Sequence, residues 1–287
     1  MHLGSIELGD IRVDVIDGGS VWLDGGGIFG IVPKTMWSQI ATPDAENRVR
    51  LSFFSLLVRT PEATVVIEAG SAAHQGEKAR EHLAADDSRL VETLSSLGVE
   101  PGDVDFFIPS HLHFDHVGGA SNAEGTALAF PKAQHVLQKD EWVEARNPAP
   151  INKNAYIAGD IKPLEAARLM IVDGDAEITP GVEVMRTGGH SVGHQLVKIG
   201  VKPVETIYFT GDIFPTSDHM QPRWMCAFDL FPMDTFNWKV TLLNRAVEEG
   251  SMIAPGHGGA APLCTVSRSS QGKYIAQRVT AISEPQY

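Results

Sequence analysis

Apolar residues along the chain fall into short runs, alternating or continuous, and each run is closed by Gly, Pro, Asp or Asn. The pattern predicts strands over Ile11–Ile16, Leu51–Val58, Thr64–Glu68, Val104–Ile108, His135–Gln138, Leu169–Val172, Val182–Arg186, Gln195–Ile199 and Thr206–Thr210. Helical spacing lies between them. Across Glu77–Leu97 the residues Leu83, Leu90, Val91, Leu94 and Leu97 recur at mixed three- and four-residue steps. Lys139–Arg146 and Asp234–Glu249 are shorter helical patterns, the second with Asp234 placed to cap it. The tail, Ser269–Ile282, reads as a final helix. Strands that come first in groups and then alternate with helices predict an α/β protein, with sheets packed inside helical layers.

Residues 17–50 break this rhythm. The stretch is glycine-rich yet holds Trp22, Ile28, Phe29, Ile31, Met36 and Trp37, more large apolar groups than a flexible linker carries. It is expected to be an ordered loop folded over the core, over a pocket, or into a subunit interface of a homodimer. Nothing resembling a linker divides the chain, so residues 1–287 are expected to form one domain.

Three histidines and an aspartate fall within six positions in S-H-L-H-F-D-H-V-G-G, residues 110–119. Side chains two apart on extended backbone point the same way, so His111 and His113 can grip one ion. Asp115 and His116 diverge from that pair and can serve another. Imidazole and carboxylate suit Zn²⁺, and one ion needs at least three such ligands. Matching pieces lie downstream: Gly188-Gly189-His190, Thr210-Gly211-Asp212 and Pro255-Gly256-His257 each follow a predicted strand. Every one is a strand, a turn of small residues, then a ligand-type side chain, which is how residues gather at the end of a sheet. The glycines Gly118 and Gly119 are expected to let the backbone turn tightly after the motif.

Composition narrows the chemistry. Hydrophobic residues make up 43% and charged residues 21%, which excludes a disordered chain. A formal net charge of −13, with 23 basic residues scattered rather than clustered, argues against nucleic acid as a partner. Cys226 and Cys264 match no redox or metal spacing and are expected to be buried thiols. The N-terminal residues form no signal sequence, and no apolar run approaches the ~20 residues of a membrane span. A soluble, cytoplasmic protein is expected.

The motif and the three downstream pieces together resemble the metallo-β-lactamase superfamily, in order and approximate spacing, over nearly the whole chain. The resemblance implies a four-layer αβ/βα sandwich with a binuclear site at one edge. It implies that His111, His113 and His190 hold a first ion, that Asp115, His116 and His257 hold a second, and that Asp212 bridges them. Two divalent ions are implied, zinc foremost, with iron, cobalt or manganese also suited to these donors. Gly189-His190-Ser191-Val192-Gly193-His194 matches the pattern in which the second histidine supports the site, so His194 takes that role. Where the family has Asp-Thr-Gly, this chain has Glu68-Ala69-Gly70, and Glu68 is expected to support the ligands in its place.

The features H-L-H-F-D-H-V-G-G, G-H-S-V-G-H-Q, F-G-I-V-P-K-x-x-W and G-D-I-F-P-T-x-x-H are similar to the branch holding N-acyl-homoserine lactone lactonases and organophosphate hydrolases. That similarity implies hydrolysis of a lactone or ester by a hydroxide held between the ions, with Asp115 passing a proton to the leaving group. Phosphotriester or aryl ester hydrolysis is the alternative, and thioester hydrolysis a further one. Many lactonases of the branch carry a tyrosine three residues after the bridging aspartate; here Pro215 stands there. His219 is then a candidate to assist the reaction, if it faces the pocket rather than the core. Phe29, Met36, Trp37, Trp142, Trp224, Met225 and Phe228 are either core residues or the wall of an apolar pocket, and as a wall they favour a small, neutral, apolar substrate. His2, His74 and His82 are expected at the surface, and His135 within a strand.

Overall fold

The computed structural model describes residues 1–72, 74, 76–201, 205–259 and 261–285. Its strands are β1 (His2–Leu8), β2 (Ile11–Asp24), β3 (Arg48–Arg59), β4 (Thr64–Ile67), β5 (Phe106–Ile108), β6 (Gln134–Gln138), β7 (Arg168–Val172), β8 (Ala176–Thr179), β9 (Val182–Arg186), β10 (Gln195–Ile199), β11 (Ile207–Phe209), β12 (Met252–Ala254), β13 (Cys264–Arg268) and β14 (Tyr274–Arg278). Its helices are α1 (Gly25–Phe29), α2 (Lys34–Trp37), α3 (Glu77–Leu83), α4 (Leu90–Ser96), α5 (Phe114–Val117), α6 (Lys139–Arg146), α7 (Ala158–Leu164) and α8 (Pro232–Glu249).

The strands form two sheets in which each strand pairs with its neighbours in sequence, β1 to β7 in one and β8 to β14 in the other. The period of two along each strand sorts side chains between layers. Val13, Val15, Leu56, Val58, Val65 and Ile67 from the first sheet meet Val182, Val184, Val197, Ile207 and Phe209 from the second, making the central core. Their sequence neighbours Ile16, Leu57 and Val66 face outward instead, onto α4, α6 and α7. On the far side Leu196, Tyr208 and Ile253 pack under Leu242, Leu243 and Ala246 of α8. Helices, sheet, sheet and helices give the expected four layers.

Several elements differ from their sequence expectation. The helix expected over Glu77–Leu97 is two helices, α3 and α4, parted where Ala84 turns left-handed at φ 42°. The intervening polar stretch is taken up elsewhere: Asp86 N–H donates to the Ser20 carbonyl and Arg89 N–H to the Gly18 carbonyl, each at 2.8 Å. The tail is not a helix, because β13 and β14 close a hairpin around a turn at Ser269–Gly272. Nor does Asp234 cap α8: Pro232 opens the helix, where a missing N–H costs nothing, and Asp234 lies in its first turn. Residues 17–50 are not a loop either. The ribbon of β2 and β3 runs through residue 24 on one strand and from residue 48 on the other, with α1 and α2 between them.

Gly118 and Gly119 serve clearance rather than a left-handed turn. Gly118 caps α5 with φ −55°, and a Cβ on Gly119 would lie 2.2 Å from the Ala69 carbonyl oxygen. The loop carrying the histidine motif is thereby pressed against the end of β4. Gly119→Ala should cost about 1–3 kcal/mol, the range for overpacking a tight site. Gly102→Ala, which meets only the flexible tip of Lys132, should stay within about 0.5 kcal/mol. Chemical denaturation of the two variants checks both values.

Candidate metal centre

The ligand-type residues sit where the topology brings strand ends together. Glu68 follows β4, His111 to His116 follow β5, His190 lies between β9 and β10, Asp212 follows β11 and His257 follows β12. The parallel pairs β4–β5 and β11–β12 aim their C-terminal ends at a common edge, where such sites gather in α/β proteins.

All seven side chains expected as ligands are brought together. Their donor atoms fall into three groups, each within 4.8 Å: His111, His113 and His190; His111, His116 and Asp212; Asp115, His116 and His257. Asp212 reaches both ends, with Oδ2 3.2 Å from His190 Nε2 and Oδ1 3.2 Å from His257 Nε2 and 3.5 Å from His116 Nε2. His113 Nδ1 lies 3.2 Å from His190 Nε2.

Hydrogen bonds at the outer nitrogens fix which nitrogen faces the centre. His257 Nδ1 donates to the Ser52 carbonyl at 3.1 Å, and His190 Nδ1 meets Asp229 Oδ1 at 3.0 Å. His116 Nδ1 contacts Glu68 Oε2, while Glu68 Oε1 accepts the Ser110 N–H. Glu68 therefore stands where the sequence placed it, touching His116 and the start of the motif loop. Holding this position puts it at φ 63°, left-handed for a residue with a side chain. His194 also has a supporting position: Nε2 accepts the Asp212 N–H at 3.2 Å, so Nδ1 carries the proton toward Thr187 Oγ1 at 2.6 Å. A Cβ on Gly211 would fall 2.7 Å from that Nε2, which is why a glycine precedes Asp212.

The electrostatics are those of a cation site. Burial, reinforced by neighbouring imidazoles, holds His111 and His113 well below the ordinary histidine range, so both are neutral with free lone pairs. At His116 burial works downward, yet Glu68, Asp212 and Asp115 outweigh it and raise the pKa. At Asp212 burial works upward, yet His190, His116 and His257 keep the carboxyl ionised. The buried atoms His111 Nε2 and His113 Nε2, both on neutral rings, have no hydrogen-bond partner. Orphaned buried acceptors are costly, and imidazole and carboxylate donors at these spacings fit divalent metal ions.

Some expected site residues lie elsewhere. His219 is fully buried, takes the Thr216 hydroxyl at Nδ1 (2.8 Å) and gives its Nε2 proton to the Ile28 carbonyl (3.0 Å). Both nitrogens are engaged, and burial pushes its pKa down to about 3, so it is a neutral structural pin and not a catalytic group. It is one end of a ring stack, His219–Phe29–Trp37, with centroids 4.9 and 5.1 Å apart. Phe29 of α1 and Trp37 of α2 are thus core residues, and Trp224 packs edge-on against Phe29. Met36 is exposed, Met225 is half-buried, and Trp142 lies on the outer face of the first sheet under Arg146. Of the seven expected wall residues only Phe228 lines the cavity over the centre.

That cavity, about 440 Å³, is lined by Leu23, Ile28, Leu51, Phe114, Ile151 and Leu230 beside Phe228, with His113, Asp115, His190, Asp212 and His257 among its lining. Of the other histidines, His82 is exposed and His2 half-buried, as expected. His74 is instead an interior staple, contacting Asp160 Oδ1 at 2.5 Å and the Asn122 carbonyl at 2.6 Å. His135 is buried in β6 and its pKa falls to about 4 through burial. Both cysteines are free and buried. No sequence pattern marks Asp229, which is recognisable only once the fold sets it beside His190.

Four layers with a His/Asp cluster at the joined strand ends are the arrangement of the metallo-β-lactamase fold. Residues 52–257 match the metallo-β-lactamase superfamily, and the chain belongs to it. It is similar to the N-acyl homoserine lactonase of Bacillus thuringiensis, 32% identical over 136 residues, or 47% of this chain. The match spans about half of that relative, 49% of its length. It is also similar to the N-acyl homoserine lactonase AttM of Agrobacterium fabrum, 27% identical over 232 residues, covering 74% of this chain and 83% of AttM. Among solved structures it resembles a probable metal-dependent hydrolase from Staphylococcus aureus, with a TM-score of 0.87 and 27% identity over 96% of this chain and 99% of that one. No helix among the described residues is long and apolar enough to cross a membrane.

If His219 is a pin, His219→Ala should leave metal content unchanged. It should lower stability by about 2–4 kcal/mol, through the lost ring volume and the stranded Ile28 carbonyl. Elemental analysis and denaturant unfolding of the same preparation check the pair of outcomes.

Proposed function

We propose that this chain is a binuclear metal-dependent hydrolase that opens a neutral lactone or ester bearing an apolar acyl group. The observation that carries this reading is the cavity. It is walled by aliphatic and aromatic side chains, it has metal-type donors in its lining, and no Lys or Arg is among its described lining residues. A polyanionic substrate would find no counter-charge in those walls, whereas an acyl chain would find Leu23, Ile28, Ile151, Phe228 and Leu230. The similarity to N-acyl homoserine lactonases supports an acylated lactone as the substrate.

His111, His113 and His190 would hold one ion, Asp115, His116 and His257 the other, and Asp212 both. Zinc suits this donor set, and iron, cobalt or manganese share its preferences. When bound, such ions supply the Lewis acidity that makes water a nucleophile near neutral pH and polarises a carbonyl. The residues do the rest. Asp115 lines the cavity, with Oδ2 3.7 Å from His257 Nε2, and would carry a proton to the departing alkoxide. Pro215 lines the cavity with no hydroxyl to offer, and Tyr156 cannot substitute, because its hydroxyl is bound to Glu141. Neither residue would therefore offer a hydroxyl proton to a substrate carbonyl. A neutral aryl phosphotriester meets the same requirements of charge and shape, which makes it the second reading.

Reconstituted protein should hold close to two metal equivalents, and Asp212→Ala should lose both metal and turnover. Each methylene fully buried is worth roughly 0.8 kcal/mol, and a partly open cavity realises only part of that. Lengthening the acyl chain of a homoserine lactone by four carbons should then raise kcat/KM about tenfold, and Phe228→Ala should flatten the rise. Lactones inert at every length, with phosphotriesters turned over, would put the second reading in place of the first.

A further inference from the structure

Glu141 is a second buried glutamate beside the centre, on α6, and only 2% exposed. Four donors converge on its carboxylate. Oε1 accepts the Leu112 N–H at 3.0 Å and the Tyr156 hydroxyl at 3.0 Å. Oε2 accepts the Ser191 hydroxyl at 2.7 Å and the Gly193 N–H at 3.1 Å. Leu112 lies between His111 and His113, and Ser191 follows His190. The Tyr156 ring, held by the same carboxylate, stands edge-on to His113 with centroids 4.9 Å apart. One side chain thus ties together the two loops that carry His111, His113 and His190.

The contrast with Glu68 gives this arrangement its meaning. Glu68 touches one ring directly, His116, and also accepts the N–H of Ser110, the neighbour of His111, whereas the partners of Glu141 all lie around His111, His113 and His190 and none at His116. The His190 loop also lies directly against α6, since a Cβ on Gly193 would be 2.3 Å from the Glu141 nitrogen. A buried carboxylate is costly unless fully hydrogen-bonded, and α6 has apolar anchors of its own at Trp142 and Ala145. A glutamate is therefore not needed to seat the helix. What it adds is the fixed separation of two ligand loops.

We infer that Glu141 is a positioning residue that sets the affinity of the His111–His113–His190 donor set selectively, while Glu68 governs the set containing His116. This rests on the binuclear reading above. Three imidazoles from two loops bind one ion well only if the loops are held within a few tenths of an ångström. Glu141→Gln keeps the shape but points an amide N–H₂ at one of two backbone N–H donors, so one loop is released.

The test is chelator competition on the zinc- or cobalt-loaded full-length protein, resolving the two equivalents, with thermal unfolding followed alongside. Glu141→Gln should weaken one equivalent by about 10–100-fold, the usual effect of losing a support behind a ligand, and leave the other near wild type. Glu68→Gln should weaken chiefly the opposite equivalent, and the cobalt spectra of the two half-loaded variants should differ, because the carboxylate-containing set remains in Glu141→Gln and the three imidazoles in Glu68→Gln. Tyr156→Phe, which removes one of the four bonds, should act in the same direction as Glu141→Gln but less, and covers the case where the Gln variant folds poorly. Two equivalents in wild type with both loosened alike in Glu141→Gln, or neither loosened, overturn the inference alone. Fewer than two in wild type overturn the binuclear reading and this inference with it.

Discussion

The structure turns on a buried cluster of ionisable groups that no apolar core would tolerate unaided. His111, His113, His116, His190, Asp115, Asp212 and His257 lie within a few ångströms of one another and almost out of contact with water. Isolated charges in such a place would neutralise or force the chain open. Here the carboxylates and imidazoles hold each other's charge states: Asp212 is kept ionised by His190, His116 and His257, and His116 is raised by Glu68, Asp212 and Asp115. A cation would complete the balance, because the buried Nε2 atoms of the neutral His111 and His113 have no hydrogen-bond partner. Much of the surrounding fold can be understood as the means of holding those atoms in place.

That means is mostly backbone geometry paid for with glycine and buried acid. Ligand residues stand on short turns after strands whose own hydrogen bonds are satisfied in the sheets, so the turns must find partners among side chains. Glu68 and Glu141 supply acceptors on one side of the centre, and His194 supplies one for Asp212 on the other. Close approach of these turns leaves no room for a Cβ at Gly119 or Gly211. Glu68 itself adopts a left-handed φ, a conformation that disfavours side chains and survives only where the surroundings over-determine it.

The His/Asp cluster was legible in the sequence because each member is a reactive residue type placed just after an apolar run, and that conjunction has few other uses. The central strands were legible from their alternation: Leu56 and Val58 face one layer and Leu57 the other, as do Val65 and Ile67 against Val66. What escaped was decided by partners distant in sequence. Residues 84–89 leave the helical pattern because Ser20 and Gly18 accept their N–H groups. The tail becomes β14 because β13 offers it an edge, while its own residues lie mostly exposed and carry little apolar periodicity. Glu141 looked like an ordinary charge on a short helix; its role exists only where Leu112, Tyr156, Ser191 and Gly193 converge on it.

The aromatic residues make the same point from the opposite direction. Counting Trp and Phe near the glycine-rich segment suggested a pocket wall, but large flat rings gain most by stacking, and Trp37, Phe29 and His219 do so in the core. Stacking there fixes α1, and fixing α1 presents Ile28 on its other side to the cavity. Gly27 completes the effect, since only a residue without a Cβ lets the Phe228 ring lie against the helix. The rings therefore shape the pocket from behind rather than lining it. The shape of this cavity is set by a layer of packing beneath its wall, where a sequence pattern of apolar residues is indistinguishable from ordinary core.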